Sequence, residues 1–277
     1  MCGRYAASRS TGELVEEMEI EQDHTAEPVR SILKSPQEPA AASPDYNVAP
    51  SKNARVALER RPRGRDDAAP VRQLRLMTWG LVPSWAKDPG VGARMTNARA
   101  ETVLDKPAYR AAALTRRLLV PADGWYEWQA SPTATDAKGK PLKQPFFIHR
   151  ADGGLVALAG LYEFWKDPAA PAEDPCAWLS SFTIVTGPAE PGLDRIHDRQ
   201  PLVLDRSEWG AWLDPDLRDP DAIAALLRPR DPGRFAAHPV GRAVGSSRAN
   251  GPGLLDPVPP GELRGVLDPA TGEVIGG

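Results

Sequence analysis

The chain has 277 residues, 41% of them apolar, with a formal net charge of -3. That length can bury a sizeable core in one large domain or two small ones, and the lack of any membrane-length apolar run or secretory leader predicts a soluble, unsecreted protein. Cys2 and Cys176 are too few for a disulfide framework, the four histidines show no zinc-type spacing with them, and the slightly acidic balance excludes a uniformly basic nucleic-acid-binding surface.

Ser10 followed by Glu13 forms a capping box, and Leu14, Val15 and Met18 share an apolar face, so a helix is predicted from Thr11 to Ile20. From Glu21 to Asp45 prolines, an alanine run and scattered charges suit an extended surface excursion. Strands are predicted at Val56–Leu58 and Val71–Trp79, joined by an Arg/Asp/Pro-rich loop, Glu59–Pro70. That loop reads either as a solvated hairpin tip, with aspartates beside the arginines, or as a phosphate-binding arm. Further strands are predicted at Leu118–Val120, Gly124–Trp128, Phe146–His149, Leu155–Phe164 and Ser181–Thr186, and helices at Lys106–Thr115, Ser207–Leu213 and Asp221–Leu227. Strands outnumber helices without regular alternation. The expected fold is therefore a single α+β domain over residues 1–277, a twisted, mostly antiparallel, barrel-like sheet flanked by helices, with surface insertions at 21–45, 59–70 and 167–176.

Four clusters can carry chemistry. Cys2 follows the initiator methionine, whose removal ahead of a small side chain would leave an α-amine and a thiol on one residue. With reference pKa values of about 7.7 to 8.0 and 8.5, both groups have a nucleophilic fraction near neutrality. A 1,2-aminothiol attacks an aldehyde through its amine and then closes a thiazolidine ring through its sulfur; a small buried cysteine is the structural alternative. In the segment Trp79 to Glu101, Pro83 stiffens a turn that can hold Trp85 at the surface, where an aromatic face can stack on a nucleobase, or else bury it. Asn97 and Arg99 share strand parity.

In Pro121-Ala-Asp-Gly-Trp-Tyr-Glu127-Trp, a glutamate stands between aromatics. An apolar surround would raise its pKa into the range of a general acid or base, whereas an outward-facing glutamate alternating with inward aromatics would be structural. His197 lies in the polar segment Asp194-Arg-Ile-His-Asp-Arg-Gln-Pro, between a short helical stretch and a strand, and can exchange protons near neutral pH.

In this order the clusters resemble the SRAP family, the SOS-response-associated peptidase domain. The resemblance rests on Met1-Cys2-Gly3-Arg4-Tyr5, Tyr46-Asn47-Val48-Ala49-Pro50, Trp79-Gly80 through Trp85, Asn97-Ala98-Arg99, Ala122-Asp123-Gly124-Trp125-Tyr126-Glu127-Trp128, Ile196-His197-Asp198-Arg199 and His238-Pro239-Val240. Each piece is short, but together they span nearly the whole chain.

The resemblance implies an abasic-site sensor in DNA repair that binds single-stranded DNA and forms a thiazolidine crosslink at Cys2. Asn97, Glu127 and His197 would be the surrounding catalytic residues, with Arg4, Asn47, Trp85 and Arg99 as DNA contacts. It also implies no cofactor or metal, a cytoplasmic location, nucleoid-associated when bound to DNA, and lyase or autopeptidase activity as an accompaniment. Two other readings stand beside it: a thiol peptidase using Cys2 and His197, and a non-covalent module for single strands. The three insertions depart from the bacterial pattern, so loop contacts do not carry over from it.

Overall fold

Alternation of apolar side chains along the central strands gives the sheet two buried faces, and this governs how the molecule is built. The structure is a computed structural model describing residues 2–276 except Arg63, Asp66, Ala172 and Pro175. The strands of its first half are β1 (Arg4–Ala7), β2 (Gln22–Asp23), β3 (Asp45–Val48), β4 (Asn53–Arg60), β5 (Val71–Trp79), β6 (Asn97–Arg99) and β7 (Arg117–Ala122). There follow β8 (Gly124–Thr135), β9 (Pro141–Arg150), β10 (Val156–Lys166), β11 (Trp178–Pro188), β12 (Arg199–Pro201), β13 (Phe235–Pro239), β14 (Val266–Leu267) and β15 (Val274–Ile275). Helices α1 (Thr11–Glu17), α2 (Pro107–Thr115), α3 (Arg206–Leu213) and α4 (Pro220–Leu226) flank them.

Strands β11, β10, β7, β4 and β5 pair antiparallel in that order, and the ring closes where Thr78 and Trp79 of β5 run parallel to Ser181 and Phe182 of β11. The result is a mixed five-stranded barrel. A second, antiparallel sheet in the order β13-β9-β8-β1-β3 packs with it. The fold is thus α+β with a barrel-like, mostly antiparallel sheet, as the sequence predicts.

Val56 and Leu58, Leu118 and Val120, Val156 and Leu158, and Phe182 and Ile184 turn one way, into a cluster with Cys2, Tyr5 and Trp125. Their neighbours Ala57, Leu119, Ala157 and Val185 turn the other way, against Leu14, Met18, Ala113, Trp209 and Trp212 from the helical layer. Each large apolar side chain buried in this way contributes about 1.5–3 kcal/mol.

The capping box is present, with Glu13 N donating to Ser10 Oγ at 3.2 Å and Ser10 N to Glu13 Oε2 at 2.7 Å. Helix α1 nevertheless ends at Glu17, short of the predicted Ile20, because Glu19 takes a left-handed φ of 56°. Ile20 still packs beside Leu14. The segment 21–45 is largely irregular but tied down: Gln22 and Asp23 pair in parallel with β5, Arg30 bonds Asp167 at 2.6 Å, and Gln37 exchanges hydrogen bonds of 2.9 and 2.7 Å with the Asn53 backbone. In the loop 59–70, Arg61 pairs with Asp216 and Arg60 stacks over the Phe164 ring; Arg63 and Asp66 of that loop, like Ala172 and Pro175 of 167–176, lie outside the described residues. Among the described residues no helix is long and apolar enough to cross a membrane.

Candidate active site

Antiparallel pairing of β1 with β8, Arg4 opposite Tyr126 and Tyr5 opposite Trp125, carries the start of the chain alongside Glu127. The close approach of β8 to β9 depends on Gly124, where a Cβ would lie 2.3 Å from the Ile148 carbonyl oxygen. Gly124→Ala should therefore destabilise the fold by about 1–3 kcal/mol, read as a lowered denaturant midpoint; an unchanged midpoint would show that the two strands can separate freely.

Cys2 is fully buried in the cluster that also holds Trp125, Leu193 and Ile196. Its thiol donates weakly to the Arg4 carbonyl at 3.9 Å, and burial pushes the thiol pKa far up, with Glu127 adding to the effect. Asn97, held on β6 by parallel pairing with Ile184 of β11, donates through Nδ2 to the Cys2 carbonyl at 2.8 Å and to Thr96 Oγ1 at 3.2 Å. Its Oδ1 is buried with no hydrogen-bond partner among the described residues.

Glu127 is 3% exposed and shares a strand face with Trp125 and Gln129, so it points inward. Burial raises its carboxyl to about 7, against the pull of the positive amino terminus. His197 follows the short 3-10 turn Leu193–Arg195 and precedes β12. Its Nδ1 accepts from the Arg199 backbone N–H at 3.0 Å and lies 2.8 Å from Asp198 Oδ1. The Asp198 side chain is 86% exposed, so this ion pair is weak and screened. Burial lowers the ring pKa below its ordinary value, the charge of the amino terminus adding to this and Asp198 opposing it.

The residues expected to meet DNA divide into two groups. Trp85 stands on the turn closed by the Ala86 N–H to the Pro83 carbonyl at 2.9 Å and is 69% exposed, and Arg99 is exposed on β6. Arg4 is only half open: its guanidinium donates to Asn47 Oδ1 and the Val244 carbonyl, each at 2.8 Å, and to the Gly245 carbonyl at 3.2 Å. Asn47 is fully buried, its Nδ2 serving the Val244, Ser246 and Ala249 carbonyls at 2.9–3.3 Å. Its side chain braces Arg4 and the loop 244–249. The sequence reading missed Gln129, which has the same parity as Glu127 and is 2% exposed. Parity was the available signal.

The SOS response associated peptidase (SRAP) family matches residues 1–247. The chain belongs to the SRAP family. Its relatives include the abasic site processing protein YoqW of Bacillus subtilis (strain 168), 34% identical over 256 residues that cover 92% of this chain and 99% of YoqW. YedK of Escherichia coli (strain K12), also named an abasic site processing protein, is 31% identical over 263 residues, covering 93% and 100%. HMCES of Mus musculus, of the same description, is 31% identical over 257 residues, covering 82% of this chain and 69% of HMCES.

Among solved structures, a Bacteroides thetaiotaomicron protein shares the fold of this SRAP chain with a TM-score of 0.71 at 23% identity, covering 93% and 100%. A phage-related protein from Bordetella bronchiseptica gives a TM-score of 0.59 at 28% identity, covering 90% and 99%. The SRAP match stops at residue 247, so the hairpin of β14 and β15 lies beyond it.

Proposed function

We propose that this SRAP protein processes abasic sites in DNA repair, binding single-stranded DNA and joining it covalently to Cys2 through a thiazolidine. The names of the relatives support the lesion. The observation that carries the chemistry is that the site is built around the main chain of residue 2: Asn97 grips the Cys2 carbonyl while its own buried oxygen has no partner among the described residues. An amide oxygen beside a reacting α-amine can accept one of its hydrogens and aim its lone pair. A site built for a thiol nucleophile would stabilise the thiolate, and burial here does the reverse.

An abasic sugar is mostly a closed hemiacetal. In the proposed sequence His197 shuttles one proton, taking it from the 1′-hydroxyl and handing it to the ring oxygen, and the ring opens to an aldehyde. Once Met1 is removed, the neutral Cys2 amine attacks the aldehyde carbon, and Glu127 takes a proton from nitrogen and returns one as the hydroxyl leaves as water. The thiol then adds across the C=N bond, sulfur to carbon and hydrogen to nitrogen. Overall, aldehyde plus aminothiol give thiazolidine plus one water, and no imine remains to drive strand-breaking β-elimination.

Incubating the protein with abasic and intact single-stranded oligonucleotides, followed by a denaturing gel and intact-mass measurement, tests this reading. A heat-stable adduct lighter than the sum of its parts by one water is expected with abasic DNA alone; its absence overturns the proposal. Binding before chemistry should rest on Trp85, since base stacking on an aromatic is worth about 1–3 kcal/mol. Trp85→Ala should weaken non-covalent affinity for single strands by about one to two decades in a titration, and an unchanged affinity would move the platform elsewhere.

A further inference from the structure

Gln129 lies two residues beyond Glu127 on the same inward face of β8, and every hydrogen-bonding group of its amide is used. Nε2 donates to the Arg195 carbonyl at 3.0 Å and to the Leu267 carbonyl at 2.8 Å, while Oε1 accepts from Leu267 N at 2.7 Å. The backbone N–H of Leu267 can only donate, so the amide orientation is fixed. One side chain thus ties three pieces of chain together: the strand carrying Glu127, the turn that leads into His197, and the C-terminal hairpin.

Two further side chains lock the hairpin to the same neighbours. Arg195 donates to the Pro269 and Ala270 carbonyls at 2.7 and 3.1 Å, and Ser131, next on the inward face of β8, donates to the Gly265 carbonyl at 2.6 Å. Leu263 and Val266 enter the apolar cluster that contains Cys2 and Ile196, the residue before His197. A surface tail would need no buried amide to receive it, and leaving such an amide unpaired costs about 1–3 kcal/mol.

We infer that Gln129 is a positioning residue and that the C-terminal hairpin, beyond the stretch matched by the family, is a structural part of the active site that holds the His197 turn against the Glu127 strand. The inference rests on the proposed function for its consequence in catalysis, but its geometry can be tested without DNA. The ring of His197 is affected by Asp198 beside it, Lys143 on β9 and the charge of the amino terminus as well as by burial, so neutral replacements are needed to read burial alone. Gln129→Met removes the three-way tie, and Ser131→Ala removes the anchor to Gly265 together with the bonds its oxygen accepts from Thr133 N and Ala134 N at 3.2 and 2.8 Å.

The experiment is a pH titration of the histidine ring signals by NMR in the full chain, the His197 signal assigned with His197→Asn, alongside backbone hydrogen exchange of residues 193–198. The wild-type ring should titrate below the ordinary value of about 6.5, and both variants should move it up toward that value, Gln129→Met further, with exchange in 193–198 faster by about tenfold or more. Single-turnover crosslinking by Gln129→Met should slow about tenfold with DNA affinity kept. If Gln129→Met fails to fold, Ser131→Ala decides. Folded variants whose His197 titration and exchange match wild type overturn the inference. A wild-type protein that titrates as expected but forms no adduct overturns the proposed function and leaves this inference standing.

Discussion

Cys2→Ala should yield no heat-stable adduct with abasic single-stranded DNA, and a single uncleavable residue placed ahead of Cys2 should abolish adduct formation just as completely. The two changes remove different groups. Cys2→Ala keeps an α-amine once Met1 is gone, so it can still form an imine that borohydride traps and that exposes the strand to β-elimination, but it has no sulfur to close the ring. The extended protein keeps its thiol and loses the amine, because the nitrogen of residue 2 becomes an amide without a nucleophilic lone pair. It should give neither the stable nor the trapped species.

A thiol-first enzyme would behave in the opposite way, tolerating the extension and failing without sulfur. The buried, upward-shifted thiol of Cys2 already favours the amine as first nucleophile, since the reference amine titrates near 7.7 to 8.0 while this thiol stays protonated far beyond that. Intact-mass analysis of both variants decides the matter, and a heat-stable adduct on the extended protein would sink the aminothiol mechanism.

The fold class and the long strands were legible because they depend on local pattern. Val71–Trp79 matches β5 in full, and the Ser10/Glu13 box marks the start of α1 where expected. The short strands β1 and β3 went unpredicted, and β6 was read only as a parity shared by Asn97 and Arg99. Each is three or four residues long and is a strand because of a distant partner, β8 for β1 and β11 for β6, so nothing in its own composition announces it. That matters here because β1 and β6 deliver Cys2 and Asn97.

The inward direction of Glu127 was undecidable from the motif, since its two flanking aromatics fit either parity; pairing of β8 with both β1 and β9 fixes it. Asn47 shows the reverse limit. A motif can mark a position without saying what its side chain holds, and here the Nδ2 of Asn47 serves three backbone carbonyls that residue types do not announce. The Gln129 tie was out of reach because its partners are 66 and 138 residues away and are main-chain atoms, which leave no trace in residue type.

Glu127→Gln should make the protein more stable above neutral pH and less active. With its carboxyl raised to about 7 in the fold, against an ordinary value of 4.5, the unfolded chain releases this proton first. Between 4.5 and about 7 the folded state binds more protons than the unfolded, so stability falls as pH rises through that window and stays lower above it. At about 1.4 kcal/mol per pH unit, the buried carboxylate costs the fold up to about 3 kcal/mol at pH 8. A neutral amide of the same shape escapes that cost, so the denaturation midpoint of the variant should exceed wild type at pH 8 and approach it near pH 4.

Chemistry runs the other way, because the proton transfers of imine formation need the carboxylate. Wild-type single-turnover crosslinking should rise with pH through about 7, and Glu127→Gln should lose that limb and about 10² in rate, keeping only the rise that belongs to the amine. Paired unfolding curves and pH–rate profiles check both halves. A variant that gains stability without losing rate would make Glu127 a structural burden instead of a base, and one that loses rate without gaining stability would place its ionisation outside the buried site described above.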